Sequence, residues 1–234
     1  VGIILVNNKV LPVVIETAGH DSHVASLYGH FITAACEEGR KFRNAVLGNC
    51  SQFMVSTLGR SFFGGILPKN VQVDNWLVTT NLHCAINADD VRAVTDYFKS
   101  CQPGRAIVFR SLTEYTDAEL MRALRQNHYH FIASRQVYFW DYRRPARFSL
   151  KARHALRKDD ALAQEAGYGW SELDFGSRQD LFRVLDLYRH LYLEKYSYHN
   201  PQYSEHFLKE LCADPAGFLR IKVLVKNRNI DGFF

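Results

Sequence analysis

The chain has 234 residues, 47% hydrophobic and 13% aromatic, with 29 Lys and Arg against 24 Asp and Glu. That composition excludes a disordered polymer and supplies the core of one large domain or two modest ones. No stretch approaches the ~20 uninterrupted apolar residues of a membrane span, and Val1–Val6 lacks the basic start and small-residue cleavage site of a secretory leader.

Cys36, Cys50, Cys84, Cys101 and Cys212 are odd in number and form no CxxC pair. They argue against a zinc knuckle or a thioredoxin-type motif and suit a reducing, cytoplasmic compartment. Starting at Val1 rather than Met and stopping at Phe233–Phe234, the sequence reads as a fragment of a longer chain.

In chain order, Ile3–Val6 and Val10–Ile15 flank Asn7-Asn8-Lys9. Asn tolerates positive φ, so the pair reads as a hairpin, and Pro12 puts its second strand at an edge or a bulge. A helix is expected near Ser26–Lys41, then a mixed region from Phe42 to Gly65 that ends as a loop at Gly59, Gly64 and Gly65. Val71–Leu82 reads as a largely buried central strand. Asn87 or Asp89 caps a helix running to Ser100, and Pro103-Gly104 stops it. Ala106–Phe109 is a short strand, Thr116 or Asp117 caps the next helix, and His130–Asp141 alternates into a last strand. Strand–helix alternation of this kind predicts an α/β fold: a mixed, mostly antiparallel sheet with flanking helices.

Arg143, Arg144, Arg147, Lys151, Arg153, Arg157 and Lys158 then crowd one segment. Such a run attracts phosphate, as in coenzyme A, tRNA or an acidic lipid surface, or else is a solvated connector. Beyond it, Gly167–Phe175 reads as loop and strand. Gln179–Lys195 is a helix with Leu181, Val184, Leu185, Tyr188, Leu191 and Tyr192 at steps of three or four. Tyr196–Gln202 breaks it, Ser204–Leu211 is a short helix closed near Pro215-Gly217, and Leu219–Val225 with Ile230–Phe234 makes a second hairpin.

The helix, broken helix and hairpin ending in "NRNIDGFF" resemble the front half of a GNAT-type acyltransferase domain. Val71–Asp141 resembles the back half: central strand, helix, strand, helix, final strand. Two such units in one chain are similar to the Fem-type aminoacyltransferases and related GNAT-like proteins of bacteria. The segments "VDNWLVTTNLH", "AIVFRSL", "SRQVYFWD" and "EKYSYHNPQYS" add to that likeness. The resemblance implies a near-complete first unit over 1–145, a basic connector over 146–166 and the front of a second unit over 167–234. It also implies an acyl or aminoacyl group moved onto a small-molecule or peptide amine, with acyl-CoA or aminoacyl-tRNA as donor. One departure bears on the donor. GNAT enzymes hold the coenzyme A pyrophosphate on a glycine-bearing R/Q-x-x-G-x-G/A loop after the central strand. Here that place reads "NLHCAINADD", without glycine and with two carboxylates.

Candidate site residues fall in three groups. Tyr196, Tyr198, His199 and Asn200 follow the long helix, where GNAT-like folds line the acceptor pocket. His199 suits proton transfer near neutral pH with Tyr196 beside it, and the same residues also read as a packed helix end and an Asn-Pro turn. Asn75, Thr80 and Asn81 lie on the expected central strand, where buried polar groups either line a cleft or bond one another. Arg110 and Arg135 sit at strand ends; each suits a carboxylate or phosphate, or an ion pair with Glu114, Asp117 or Asp141. No G-x-S-x-G elbow, Walker loop or H-E-x-x-H is present, and His128 with His130 lacks the partners of a metal site.

Two functions stand against each other: a GNAT-like transferase, and a binding or scaffold protein on the same fold without the activity, which the glycine-free loop favours. A tRNA contact at the basic run is a third reading. An open sheet edge at Ile230–Phe234 predicts pairing with another chain, as in a homo-oligomer.

Overall fold

The computed structural model describes residues 1–17, 22–42, 45–63, 67, 69–139, 143, 149–213 and 220–234. Expectations placed on Gly64, Gly65, Trp140, Asp141, Arg144, Arg147, Pro215, Gly217 and Leu219 lie outside these residues. The chain is an α/β protein that divides into two compact units, Val1–Arg135 with Tyr198–Pro201, and Gln136–Ser197 with Gln202–Phe234.

In the first unit, β1 (Gly2–Val6) and β2 (Lys9–Ile15) form the expected antiparallel hairpin. Asn7 and Asn8 supply its turn at φ 45° and 66°, the left-handed pair that matches strand twist. β3 (Asn70–Val73) runs antiparallel to β2, and β4 (Ala106–Val108) runs parallel to β3, giving the order β1-β2-β3-β4. β2 is therefore an interior strand, not the edge that Pro12 suggests. The register with β3 begins at Val13, and the Pro12 carbonyl instead accepts from the Asn75 N–H at 3.0 Å. The missing proline N–H thus falls where no ladder bond is required.

Helix α1 (Ala34–Arg40) extends a π-turn at Gly29–Thr33, and α2 (Ala45–Phe63) fills the region expected to be mixed. Gly48 explains part of that miss, because its lack of a side chain serves packing. A Cβ there would lie 2.8 Å from the Gly39 carbonyl oxygen of α1.

Helix α3 (Ala88–Cys101) carries the chain from β3 to its parallel neighbour, and α4 (Ala118–Gln126) follows β4. Asn87 caps α3 through the N–H groups of Asp89 and Asp90, and the Asp90 carboxylate returns to the Asn87 N–H. Leu11, Val13, Val71 and Val73 of the sheet pack on Val91, Val94 and Phe98 of α3 and on Leu120 and Leu124 of α4. Each such fully buried side chain contributes about 1.5–3 kcal/mol before chain entropy is subtracted.

Two strands are shorter than the sequence suggests. β3 ends at Val73, because Asp74 (φ 54°) and Leu77 (φ 59°) turn the backbone out of the sheet. Residues 130–139 are exposed and join no ladder, so the expected final strand is absent among them. Aromatic and β-branched content there signalled strand propensity without a neighbour to pair with.

The second unit contains α5 (Leu150–Glu165), which has no buried residue, and β5 (Gly169–Glu172). Helices α6 (Arg178–Tyr188) and α7 (Glu205–Ala213) follow, with a π-turn at Arg189–Glu194 continuing α6. The hairpin β6 (Lys222–Lys226) and β7 (Asn229–Phe233) completes an antiparallel sheet of order β5-β6-β7. Its turn repeats the first hairpin's chemistry, with Asn227 at φ 50° and Arg228 at φ 65°. Leu181 and Val184 of α6 and Leu208 of α7 close over Leu173, Ile221, Val223 and Ile230. Among the described residues no helix is long and apolar enough to cross a membrane.

Candidate functional site

Ligand crevices in α/β sheets form beyond the carboxyl ends of parallel strands, so the ends of β3 and β4 are the place to begin. Asp74 and Asn75 follow β3, and Arg110 lies just past β4. His83 ties these ends together: its Nδ1 lies 3.1 Å from the Asp74 carboxylate, and its Nε2–H donates to the Arg110 carbonyl at 2.8 Å. Asp74 also accepts from the Trp76 indole N–H and from the Cys84 N–H. Burial and the same carboxylate push the Cys84 thiol up, which makes it a poor nucleophile.

The turn Ser22–Ser26 is pinned onto this end of the sheet. Asn75 donates from its amide to the Val24 carbonyl and Gln72 to the Ala25 carbonyl, each at 2.8 Å. The Arg110 guanidinium donates to the Val24 carbonyl and, at 3.5 Å, to that of His23. Glu16 accepts from the Ser26 hydroxyl and from the Leu27 N–H. Buried polar groups with their bonds satisfied hold a backbone in one conformation, and here that backbone presents His23. Burial, and to a smaller extent Arg135, lower the Arg110 pKa to about 10, so it remains a cation at neutral pH.

His23 faces Glu37 of α1 and His199 from the other end of the chain. The His23 N–H donates to the His199 carbonyl at 2.8 Å, and the two rings lie 5.4 Å apart at 36°. Glu37 stands before both imidazoles, with one carboxylate oxygen 3.4 Å from His199 Nε2 and the other 3.7 Å from His23 Nε2. The Asn200 side chain hydrogen-bonds the His23 ring. His23 Nε2 is buried without a hydrogen-bond partner. Burial first, then His199, hold His23 below the usual histidine value against the opposing pull of Glu37 and Asn200. The result is a neutral imidazole whose Nε2 is enclosed and unbonded, 3.7 Å from a carboxylate, a setting suited to proton transfer.

His199 and Asn200, singled out in the sequence, thus meet at this cluster. Asn75 and Arg110 lie beneath it as supports of the His23 turn. Asn81 accepts from the Trp76 N–H at 3.0 Å and donates to the Asp74 carbonyl. Thr80 and Arg135 are exposed neighbours, with Arg135 donating to the Thr79 carbonyl and reaching the Thr80 hydroxyl at 3.4 Å. Tyr198 is exposed. Tyr196 belongs to the second unit, exposed beside Tyr192 and under the Lys195 ammonium. His23 and Glu37 were not foreseen. They lie in different segments from His199, and no local spacing links the three.

In the second unit a cleft of about 350 Å³ is lined by Asp180, Arg183, Arg228 and Asp231 among others. Arg183 is already committed to the Ile230 carbonyl and to Asp186 and Asp231. Among the described residues no three His, Cys, Asp or Glu side chains group as metal ligands do. No family model, curated protein or solved structure matches the chain.

Proposed function

We propose that the first unit is a GNAT-like transferase, working in the cytoplasm, that moves an acyl or aminoacyl group onto an amine. In this proposal His23 takes the amine proton, while Glu37 and His199 orient and recharge it. The observation that carries it is one carboxylate before two imidazoles, with His23 Nε2 buried and unbonded, beyond the ends of a parallel strand pair. The order of elements gives further support: an antiparallel hairpin beside a helix-linked parallel pair in the first unit, and strand, helices and hairpin in the second. A positioned base of this kind contributes roughly 10²–10⁴-fold to proton-transfer steps.

The test offers the protein acyl-CoA or aminoacyl-tRNA with a panel of amines and reads product by mass spectrometry. His23→Asn and Glu37→Gln are expected to lower turnover at least about 100-fold. Turnover that survives both substitutions, or a melting temperature unmoved by either donor, removes this reading.

One observation favours a binding protein without the activity. The N-terminus of α3, where a pyrophosphate would be cradled in a GNAT enzyme, is filled by the chain's own groups. The Asp90 carboxylate takes the Asn87 N–H, Lys9 at 2.6 Å and Asn7 at 2.7 Å. A second carboxylate, Asp89, lies in the same first turn and adds negative charge against an anion. Under that reading acyl-CoA leaves the melting temperature unchanged while another ligand raises it. A contact with tRNA through the exposed cations Lys151, Arg157 and Lys158 of α5 would show instead as binding that weakens steeply with salt.

A further inference from the structure

His30 is the second residue of the π-turn Gly29–Thr33, and its Nε2 lies 2.8 Å from the hydroxyl oxygen of Ser134. The main-chain carbonyl of His23 lies within hydrogen-bonding reach of the same ring. With the ring proton on Nδ1, Nε2 accepts from the serine hydroxyl. The ring is kept in place by an edge-on contact with Phe31 at 4.9 Å, and the His30 N–H donates to the Ser26 carbonyl at 2.9 Å. Ser134 itself is exposed, open to a substrate. Its chain neighbour Arg135 carries a guanidinium tethered through Nη2 to Thr79 and Thr80. A hydroxyl hydrogen-bonded to a neutral imidazole, the imidazole oriented in turn by an acceptor, and a cation alongside make up the elements of an activated nucleophile.

We infer that Ser134 is a nucleophile, activated by His30, that takes an acyl group from an ester or thioester donor. The inference rests on the acyl-transfer reading, for which it supplies the donor half-reaction without a coenzyme A cradle. Ser134 Oγ attacks the acyl carbonyl carbon and a new C–O bond forms, while the hydroxyl proton passes to His30 Nε2. The bond from the acyl carbon to the donor oxygen or sulfur breaks, and His30 returns the proton to that leaving group. The amine then attacks the acyl-serine ester and a C–N bond forms. Its nitrogen gives a proton to His30 Nε2, the bond from the acyl carbon to Ser134 Oγ breaks, and His30 hands that proton to the departing oxygen. On this route His30 takes the part given above to His23. The Arg135 guanidinium, close enough to act on the His30 ring by its charge, supplies positive potential on this side of the unit for both steps. Burial, Arg110, Arg135 and, more weakly, His23 hold His30 down to about 4, so the base is available throughout the neutral range.

The whole chain treated with p-nitrophenyl acetate is expected to gain one acetyl group, mapped by peptide mass spectrometry to Ser134. The adduct should vanish in Ser134→Ala and form at least about 10-fold more slowly in His30→Asn, whose amide keeps a donor toward the His23 carbonyl but supplies no base. No adduct at Ser134, or the same rate in His30→Asn, overturns the inference. Should His30→Asn fail to fold, the pH dependence of acetylation in the unaltered chain decides. A rate level through neutrality supports His30 as the base, and one proportional to hydroxide overturns it. Amine transfer that proceeds unchanged in Ser134→Ala sinks the nucleophile and leaves the His23 cluster standing. An acetyl-Ser134 that no amine can accept upholds the nucleophile and counts against transfer.

Discussion

Both units have an apolar core, and they differ in the polar groups buried beside it. In the first, Glu16, Ser26, Asn70, Gln72, Asp74, Asn75, Asn81, Asp90, Arg110 and Asp117 are all buried. In the second, every buried residue among those described is apolar, from Leu173 to Ile230. Burying a polar group is costly unless its bonds are made, so a dense polar interior persists where it does something that an apolar one does not. Here it fixes the backbone of Ser22–Ser26 and, through it, the orientation of His23. The second unit, with no comparable buried network among its described residues, closes two helices over a three-stranded sheet. Stability measurements, read through Trp76 in the first unit and Trp170 in the second with Trp140→Phe as background, can break or sharpen this contrast.

The largest expected effect is Asp74→Ala. It leaves His83, the Trp76 indole and the Cys84 N–H without their acceptor in a fully buried place, at about 3–5 kcal/mol by urea unfolding at the Trp76 reporter. A loss under 1 kcal/mol would mean that the polar interior is dispensable.

Acid comes next. His23 and His30 both titrate lower in the folded chain than the ordinary 6.5, His30 at about 4. The unfolded chain then binds more protons between those values. The first unit should therefore be fully stable above about pH 6.5 and lose stability as pH falls toward 4. Smallest is Leu181→Met, a volume-conserving change in the apolar core, expected at less than about 1.5 kcal/mol. A larger cost would show that the second core is as exacting as the first.

Local chemistry made much of the fold legible. Asn-rich turns flanked by β-branched runs marked both hairpins, Asn87 or Asp89 marked the start of α3, where Asn87 is the cap, and the spacing of Leu181, Val184 and Leu185 marked α6. Helix α2 was hidden because Gly48 and Gly59 lower helix propensity where the chain needs small residues. β3 was drawn too long because Val78, Thr79 and Thr80 favour extended backbone, whereas Asp74 spends its side chain on His83 and turns the chain away. The site was half legible. His199 and Asn200 stood out as polar residues after a long helix. His23 and Glu37 did not, since only the folded backbone brings a turn, a helix and a distant loop around one carboxylate.

The alternation within Asn70–Val73 bears on how the sheet assembles. Val71 and Val73 enter the apolar layer, while Asn70 donates to Glu16 and to the Leu67 carbonyl, and Gln72 to the Ala25 carbonyl. A slip of one residue would drive two amides among valines and strand two valines among carboxylate and carbonyl oxygens. Misaligned pairings are thus penalised from both sides at once. A strand of only four residues can in this way find a single alignment between β2 and β4.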